Sequence, residues 1–372
     1  MKLQAEDINK YIRLVLLITI SSCSNNNLTP DQLAQNALII DTHIDTPIRL
    51  VAQKYQNMDL DDISGETDFD FDYPKAVAGG LNLPFFSIYV PARLEADGTS
   101  FEFANEMIDL MDNIIDSNSD YFFKVNTSIY LGNLPGQNLI GIAYGMENGS
   151  PLEGKLENVQ YFHDKGIRYI TLTHSLSNHI SDSSYDENKQ WGGLSPFGQT
   201  LIEEMNNVGM MIDVSHVSDD AFYQIIDLSR APVIASHSSL RHFTPDWERN
   251  MSDEMVKAIA ENGGVVQINF GSNFLINDNR VKDDSEEYIF ADVADVADHI
   301  DRVVSLTSIR HVGIGSDYDG VGDTLPTGLK NASTYPNLIQ ELQKRGYSTS
   351  DIQLILGGNL ARVWREVEEY AK

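Results

Sequence analysis

The chain has 372 residues, of which 55 are acidic and 26 basic, for a formal net charge of −29, and 42% are hydrophobic. A charge of that sign repels phosphate backbones and anionic lipid surfaces and argues against nucleic-acid binding; the hydrophobic content argues against global disorder. The length fits two average domains or one (β/α)8 barrel with insertions, and most of the acid reads as solvation of outer helices.

The first thirty residues differ from the rest. Lys2, Lys10 and Arg13 precede the apolar run Leu14 to Ile20, and Ser21, Ser22 and Cys23 follow. A basic segment, a short apolar core and small residues make an export signal, and a run this short does not span a bilayer. Ile20-Ser21-Ser22-Cys23 also resembles a bacterial lipobox. The expectation is a signal peptide over 1–22, a lipidated Cys23, a polar tether over 23–35 and one domain over 36–372, although Glu6 and Asp7 are atypical of a signal's basic region. The chain would then sit in the bacterial envelope, facing the periplasm or at the cell surface, and touch the membrane only through its lipid. Cys23 is the single cysteine. No disulfide can form within the chain, and any metal in its body is left to histidine and carboxylate.

Eight short apolar or β-branched runs follow, at Leu38 to Asp41, Leu83 to Val90, Leu139 to Ala143, Ile167 to Thr173, Met210 to Val214, Pro232 to Ala235, Gly264 to Phe270 and His311 to Gly315. Helical spacing fills segments between them: Phe103 to Ile115, Leu152 to Lys165, Pro196 to Asn207, Asp219 to Ser229, Ser252 to Asn262 and Phe290 to Thr307. Helices at Asn337 to Lys344 and Ser350 to Tyr370 close the chain, and Asp59 to Asp72 and Asn277 to Glu287 read as long loops. Near-continuous apolar strands alternating with helices predict a parallel sheet, and eight units predict a closed α/β (β/α)8 TIM-type barrel in one domain.

His43, His174, His216 and His237 each fall just past the end of a predicted strand. Residues at those ends converge on one mouth of such a barrel, where its active sites lie. His43 and Asp45 are two apart and suit one metal; Glu147 can offer one oxygen to each of two cations; His216 and His237 complete the second site. Imidazole and carboxylate without thiolate suit Zn²⁺, with Mn²⁺, Co²⁺ and Fe²⁺ not excluded. Asp317 faces the same mouth and is placed to move protons, with Asp319 as competitor.

Together these residues carry a resemblance. The segments Asp41-Thr42-His43-Ile44-Asp45, Thr171-Leu172-Thr173-His174, Gly192-Gly193-Leu194-Ser195, Ile212-Asp213-Val214-Ser215-His216, Ala231-Pro232-Val233-Ile234-Ala235-Ser236-His237-Ser238 and Gly315-Ser316-Asp317-Tyr318-Asp319-Gly320 resemble the membrane (renal) dipeptidase family of binuclear amidohydrolase-like barrels. The resemblance implies two zinc ions, held by His43 and Asp45, by the bridge Glu147, and by His216 and His237. It implies that Asp317 is the proton-transferring acid, that His174 polarises the substrate, and that Arg249 grips the substrate's free carboxylate, with Arg241 as fallback. The implied activity is dipeptide hydrolysis by a metal-bridging hydroxide, with tolerance for D-residues at the C-terminal position; a homodimer is left open. The departures are Thr42 in place of the usual Gly, Asn148 where Gly is common, and Gly271 and Ser272 where a bulkier aromatic occurs. The rivals are a same-fold hydrolase of cyclic amides or nucleobases and a non-catalytic metal-binding surface lipoprotein.

Overall fold

The computed structural model describes residues 28–277 and 288–371. Among them nine strands form: β1 (Ile40–Ile44), β2 (Leu83–Tyr89), β3 (Phe122–Lys124), β4 (Ile140–Glu147), β5 (Ile167–Thr171), β6 (Met211–Asp213), β7 (Ile234–Ala235), β8 (Val265–Ile268) and β9 (Val312–Ile314). Eight of them pair side by side in the order β1-β2-β4-β5-β6-β7-β8-β9, every pair parallel, and β3 adds to β4 alone. The ring closes where Ile44 bridges Tyr318: the Asp45 N–H donates to the Tyr318 carbonyl at 2.8 Å and the Asp317 N–H to the His43 carbonyl at 3.0 Å. The expected eight-stranded barrel is therefore what the chain builds.

Apolar side chains divide between two cores. Phe86, Ile88, Tyr144, Met146, Ile170 and Ile212 face the surrounding helices, whereas Leu83, Phe85, Ala143, Tyr169, Met211 and Val265 belong to a second cluster with Leu360, Val363 and Trp364 of the last helix. The rings of Phe85 and Trp364 lie 5.3 Å apart, edge to face. This alternation along β2, β4 and β5 is the period-two pleat of strands that are buried on both sides.

The differences from the predicted elements have local causes. β4 runs on to Glu147, past the expected end at Ala143, so Glu147 is a strand residue in register with Tyr89 and Thr171. The expected single helix Ser350 to Tyr370 is Thr349–Gln353, a π-helical turn Leu354–Gly358 and Asn359–Tyr370. At that turn Gly357 lies so close to the Leu38 carbonyl that a Cβ would sit 2.6 Å from it. Helices Thr46–Tyr55 and Tyr73–Gly79, and strand β3, were not anticipated.

Folded structure also starts before the expected boundary at residue 36. Thr29 and Gln32 form a capping box on the helix Pro30–Asn36, which buries Leu33 and Ala34, so the later part of the expected tether is ordered helix. The expected signal segment 1–22, Cys23 and residues 278–287 of the expected loop Asn277 to Glu287 lie outside the described residues. No helix among those described is long and apolar enough to cross a membrane.

Candidate metal centre

The strand ends do converge. His43 lies on β1, Asp45 one residue beyond it, Glu147 at the end of β4, and His174, His216, His237 and Asp317 just past β5, β6, β7 and β9. Asp45 is the N-cap of the helix Thr46–Tyr55 but makes no side-chain cap bond, which leaves its carboxylate for the mouth. Several mouth residues hold the left-handed backbone: Asn148 (φ 79°), His216 (φ 68°), Asp317 (φ 65°) and Asp319 (φ 64°). Non-glycine residues in that region are uncommon and gather at functional sites. Asn148 shows why the glycine expected there is replaceable, since Asn tolerates this conformation.

Glu147 is the centre of the arrangement. Its Oε2 is 3.4 Å from His43 Nε2, and its Oε1 is 3.4 Å from His174 Nε2, 3.2 Å from His216 Nε2 and 3.4 Å from His237 Nε2. His43 Nε2 is 3.6 Å from Asp45 Oδ2, and the Nε2 atoms of His216 and His237 are 2.8 Å apart. Three overlapping groups have donor atoms close enough to share an ion: His43, Glu147 and His237; Glu147, His174 and His216; and His43, Asp45 and Asp317. His43 Nε2 and Asp45 Oδ1 are buried without a hydrogen-bond partner. Buried polar atoms left unpaired are costly, and imidazole nitrogens facing carboxylate oxygens are the donor set of a hydrolytic metal site, so these residues fit a metal centre.

Outer contacts orient the imidazoles. Ser236 Oγ donates to Asp213 Oδ2 at 2.6 Å and therefore accepts from His237 Nδ1 at 2.7 Å, which leaves the Nε2 lone pair facing the mouth. Burial, reinforced by the nearby Arg249, holds His216 well below the ordinary histidine range, and burial with His43 does the same for His237. Both rings are thus kept neutral, as metal ligands must be. Sequence reasoning missed Asp213, Ser236 and the Tyr169 phenol 2.9 Å from His43 Nδ1. Asp213 did leave a signal, because an aspartate inside an apolar strand has to find partners.

Asp317 takes a hydrogen bond from Asn269 Nδ2 at 2.7 Å. Burial first, then the carboxylates of Asp45 and Glu147, push its carboxyl up to about 7 against the opposing pull of His43, which is the range for giving or taking a proton near neutrality. Gly320 is required beside it, since a Cβ there would lie 2.1 Å from Asp45 Oδ2 and 2.4 Å from Asp317 Oδ1.

A cavity of about 560 Å³ opens over these groups, and its walls include Ile48, Tyr89, His174, Tyr185, Arg249 and Phe274. Arg249 is buried; it donates to Ser238 Oγ at 2.9 Å and to the His237 carbonyl at 2.8 Å, with one η nitrogen 3.2 Å from His216 Nε2. Arg241 does not line that cavity and instead holds Asp219 through two bonds of 2.7 and 2.8 Å. Tyr89 and Tyr185, also unanticipated, pack on His174 and His216 with ring centres 4.8 and 5.8 Å away.

A model of the membrane dipeptidase family, peptidase family M19, matches residues 29–372. The chain belongs to that family. Among relatives of this membrane dipeptidase family chain, Dipeptidase aclJ of Aspergillus oryzae is 34% identical over 325 residues, covering 84% of this chain and 73% of the relative. Dipeptidase 3 of Mus musculus is 33% identical over 341 residues, 89% of this chain, which spans only 64% of that relative's length. The probable dipeptidase PvdM from Pseudomonas aeruginosa superposes with a TM-score of 0.82 at 24% identity, over 92% of this chain and 98% of that one. A metallopeptidase from Rhodobacter sphaeroides, liganded with a phosphinate mimic of the dipeptide L-Ala-D-Ala, gives a TM-score of 0.77 at 23% identity over 89% and 99%. At these identities the structural likeness speaks to the barrel fold.

Proposed function

We propose that the chain is a binuclear zinc dipeptidase. The observation that carries this is the two-sided environment of Glu147, whose Oε2 meets His43 and whose Oε1 meets His216 and His237, each within 3.4 Å. His43 and Asp45 would hold one ion, His216 and His237 the other, with Glu147 between them. Thiolate-free donors of this kind suit Zn²⁺ and also accept Mn²⁺, Co²⁺ or Fe²⁺. When bound, such ions supply Lewis acidity and make water a nucleophile at neutral pH.

The chain's own groups divide the remaining work. Asp317, whose carboxylate lies beside His43 and Asp45 and accepts from Asn269 Nδ2, moves the proton from the attacking water to the leaving amine. His174, on the cavity wall against Tyr89, steadies charge that develops on the carbonyl oxygen. Arg249 is the only Arg or Lys among the described residues lining the cavity; its guanidinium receives the substrate's carboxylate and selects peptides whose second residue is the last. Tolerance for a D-residue there is supported by the L-Ala-D-Ala mimic bound to the Rhodobacter sphaeroides neighbour. The cyclic-amide alternative is disfavoured because the central position is Glu147 and no lysine lines the cavity among the described residues.

The test is hydrolysis of a panel of L,L- and L,D-dipeptides and their amides by the zinc-loaded and the chelated chain. Zinc-dependent cleavage of free dipeptides, with the amides spared, is expected. Cleavage that survives full chelation, or no cleavage of any dipeptide by the loaded chain, overturns the reading.

We further propose export with lipid attachment at Cys23, supported by the basic, apolar and small-residue order of Lys2 to Cys23. The intact mass of the protein from its native host tests this; residues 1–22 still attached would refute it.

A further inference from the structure

We infer that Tyr169 is a positioning residue for the metal centre, aiming the Nε2 lone pair of His43 into it. The inference rests on the metal reading above. Tyr169 lies on β5, fully buried, and its ring crosses the barrel interior toward β1. What admits the ring is Gly145 on the neighbouring strand, in register with Tyr169. A Cβ at that glycine would fall 1.9 Å from the ring, so no side chain can occupy position 145 while the phenol is in place.

The phenol's hydrogen bonds then fix the histidine. Tyr169 Oη lies 2.9 Å from the Thr42 carbonyl, which can only accept, so the single phenolic proton is used there. The 2.9 Å contact between Oη and His43 Nδ1 must therefore be donated by the ring nitrogen. Nδ1 carries a proton whether the imidazole is neutral or charged, and in the neutral ring, the form that binds a cation, the lone pair is on Nε2. That is the atom 3.4 Å from Glu147 Oε2 and 3.6 Å from Asp45 Oδ2, with no hydrogen-bond partner among the described residues. Stacking on His237, with ring centres 3.8 Å apart, holds the plane of His43 but cannot choose between its nitrogens. His237 has its own device in Ser236 and Asp213; for His43 the choice falls to Tyr169.

Tyr169→Phe keeps the ring and deletes the hydroxyl. Zinc affinity, read by competition with a chelator, should fall by roughly 10- to 100-fold, and the rise in melting temperature on adding zinc should shrink. Gly145→Ala, which displaces the ring without altering its chemistry, should shift affinity in the same direction. A purely structural role for Tyr169 would lower the melting temperature with and without zinc and leave the affinity at the wild-type value. That result, or wild-type affinity in a fully stable Tyr169→Phe chain, overturns the inference. A wild-type chain that binds no zinc would instead sink the metal reading, so the two failures are distinguishable.

Discussion

Asp70 and Asp319 hold each other through two reciprocal bonds: the Asp70 N–H donates to Asp319 Oδ1 and the Asp319 N–H to Asp70 Oδ2, both at 2.9 Å. Asp319 Oδ2 also accepts from Thr46 Oγ1 at 2.7 Å and from Arg49 Nε at 3.2 Å. Both oxygens of this buried carboxylate are thereby committed to fastening the acid-rich loop and the helix Thr46–Tyr55 to the turn after β9. Asp317, two residues earlier, faces the cluster of donors instead.

The two aspartates should therefore fail differently. Asp317→Asn preserves shape but cannot carry a proton, so kcat should drop by roughly 10² to 10⁴ with zinc content and KM little changed. Asp319→Ala unties the Asp70 N–H, Thr46 Oγ1 and Arg49 Nε together, leaving Arg49 to Asp61, and should cost about 2 kcal/mol of stability, visible in a denaturant midpoint. Full kcat in Asp317→Asn, with the loss appearing in a stable Asp319 variant, would transfer the proton role to Asp319.

Arg249 and Arg241 form a second contrasting pair. Arg249 sits on the cavity wall and binds a carboxylate that is present in both the ground and transition states. Arg249→Ala should therefore chiefly raise KM, lowering kcat/KM by about 2 to 4 kcal/mol. Arg241 is occupied by Asp219, so Arg241→Ala should leave KM near wild type. Steady-state kinetics on a free dipeptide and its amide decide the matter: if Arg249→Ala discriminated between them as wild type does, the carboxylate would bind elsewhere.

What the sequence made legible, and what it did not, follows from how far each contact reaches along the chain. His43, Asp45, His216, His237 and Asp317 were readable because a parallel barrel carries every strand end to one mouth, so apolar runs alone predict their convergence. Tyr169 was not readable, because its partner His43 lies 126 residues away and meets it only once the barrel closes. The predicted run stops at Ala143, two residues short of Gly145, whose lack of a side chain makes room for that phenol. The helix Pro30–Asn36 was read as tether because its surroundings are polar, although Thr29-Pro30-Asp31-Gln32 carries a capping box with Pro at the first helical position.

The division of donors around Glu147 predicts about two zinc ions per wild-type chain. Glu147→Gln keeps the side-chain volume but loses one anionic oxygen between the two ligand sets, so stoichiometry after gel filtration should fall to one or below. The zinc-induced rise in melting temperature should fall with it, because ligand binding stabilises the native state by mass action. Metal analysis that stays at one in a fully active wild type would refute the binuclear arrangement.

Acid should weaken the fold at a site remote from the metal. His299 is buried on the helix Val293–Leu306, with Nδ1 accepting the Leu240 N–H at 3.0 Å and Nε2 facing the Leu275 carbonyl at 3.0 Å. One neutral tautomer satisfies both partners, and a second proton on Nδ1 would point at an N–H. Burial is the main cause that lowers this histidine from 6.5 to about 4. The unfolded chain thus binds more protons than the native one between those values, and stability must rise with pH across the window. The contribution is complete above pH 6.5 and is lost as pH falls toward 4; between pH 7 and 5 the loss should be about 2 kcal/mol. Urea unfolding of the chelated chain at both pH values removes the separate pH dependence of metal binding. His299→Gln should be less stable than wild type at pH 7, and the gap should narrow at pH 5 because the glutamine does not titrate. Equal pH dependence in the two proteins would show that His299 is not held neutral by the fold.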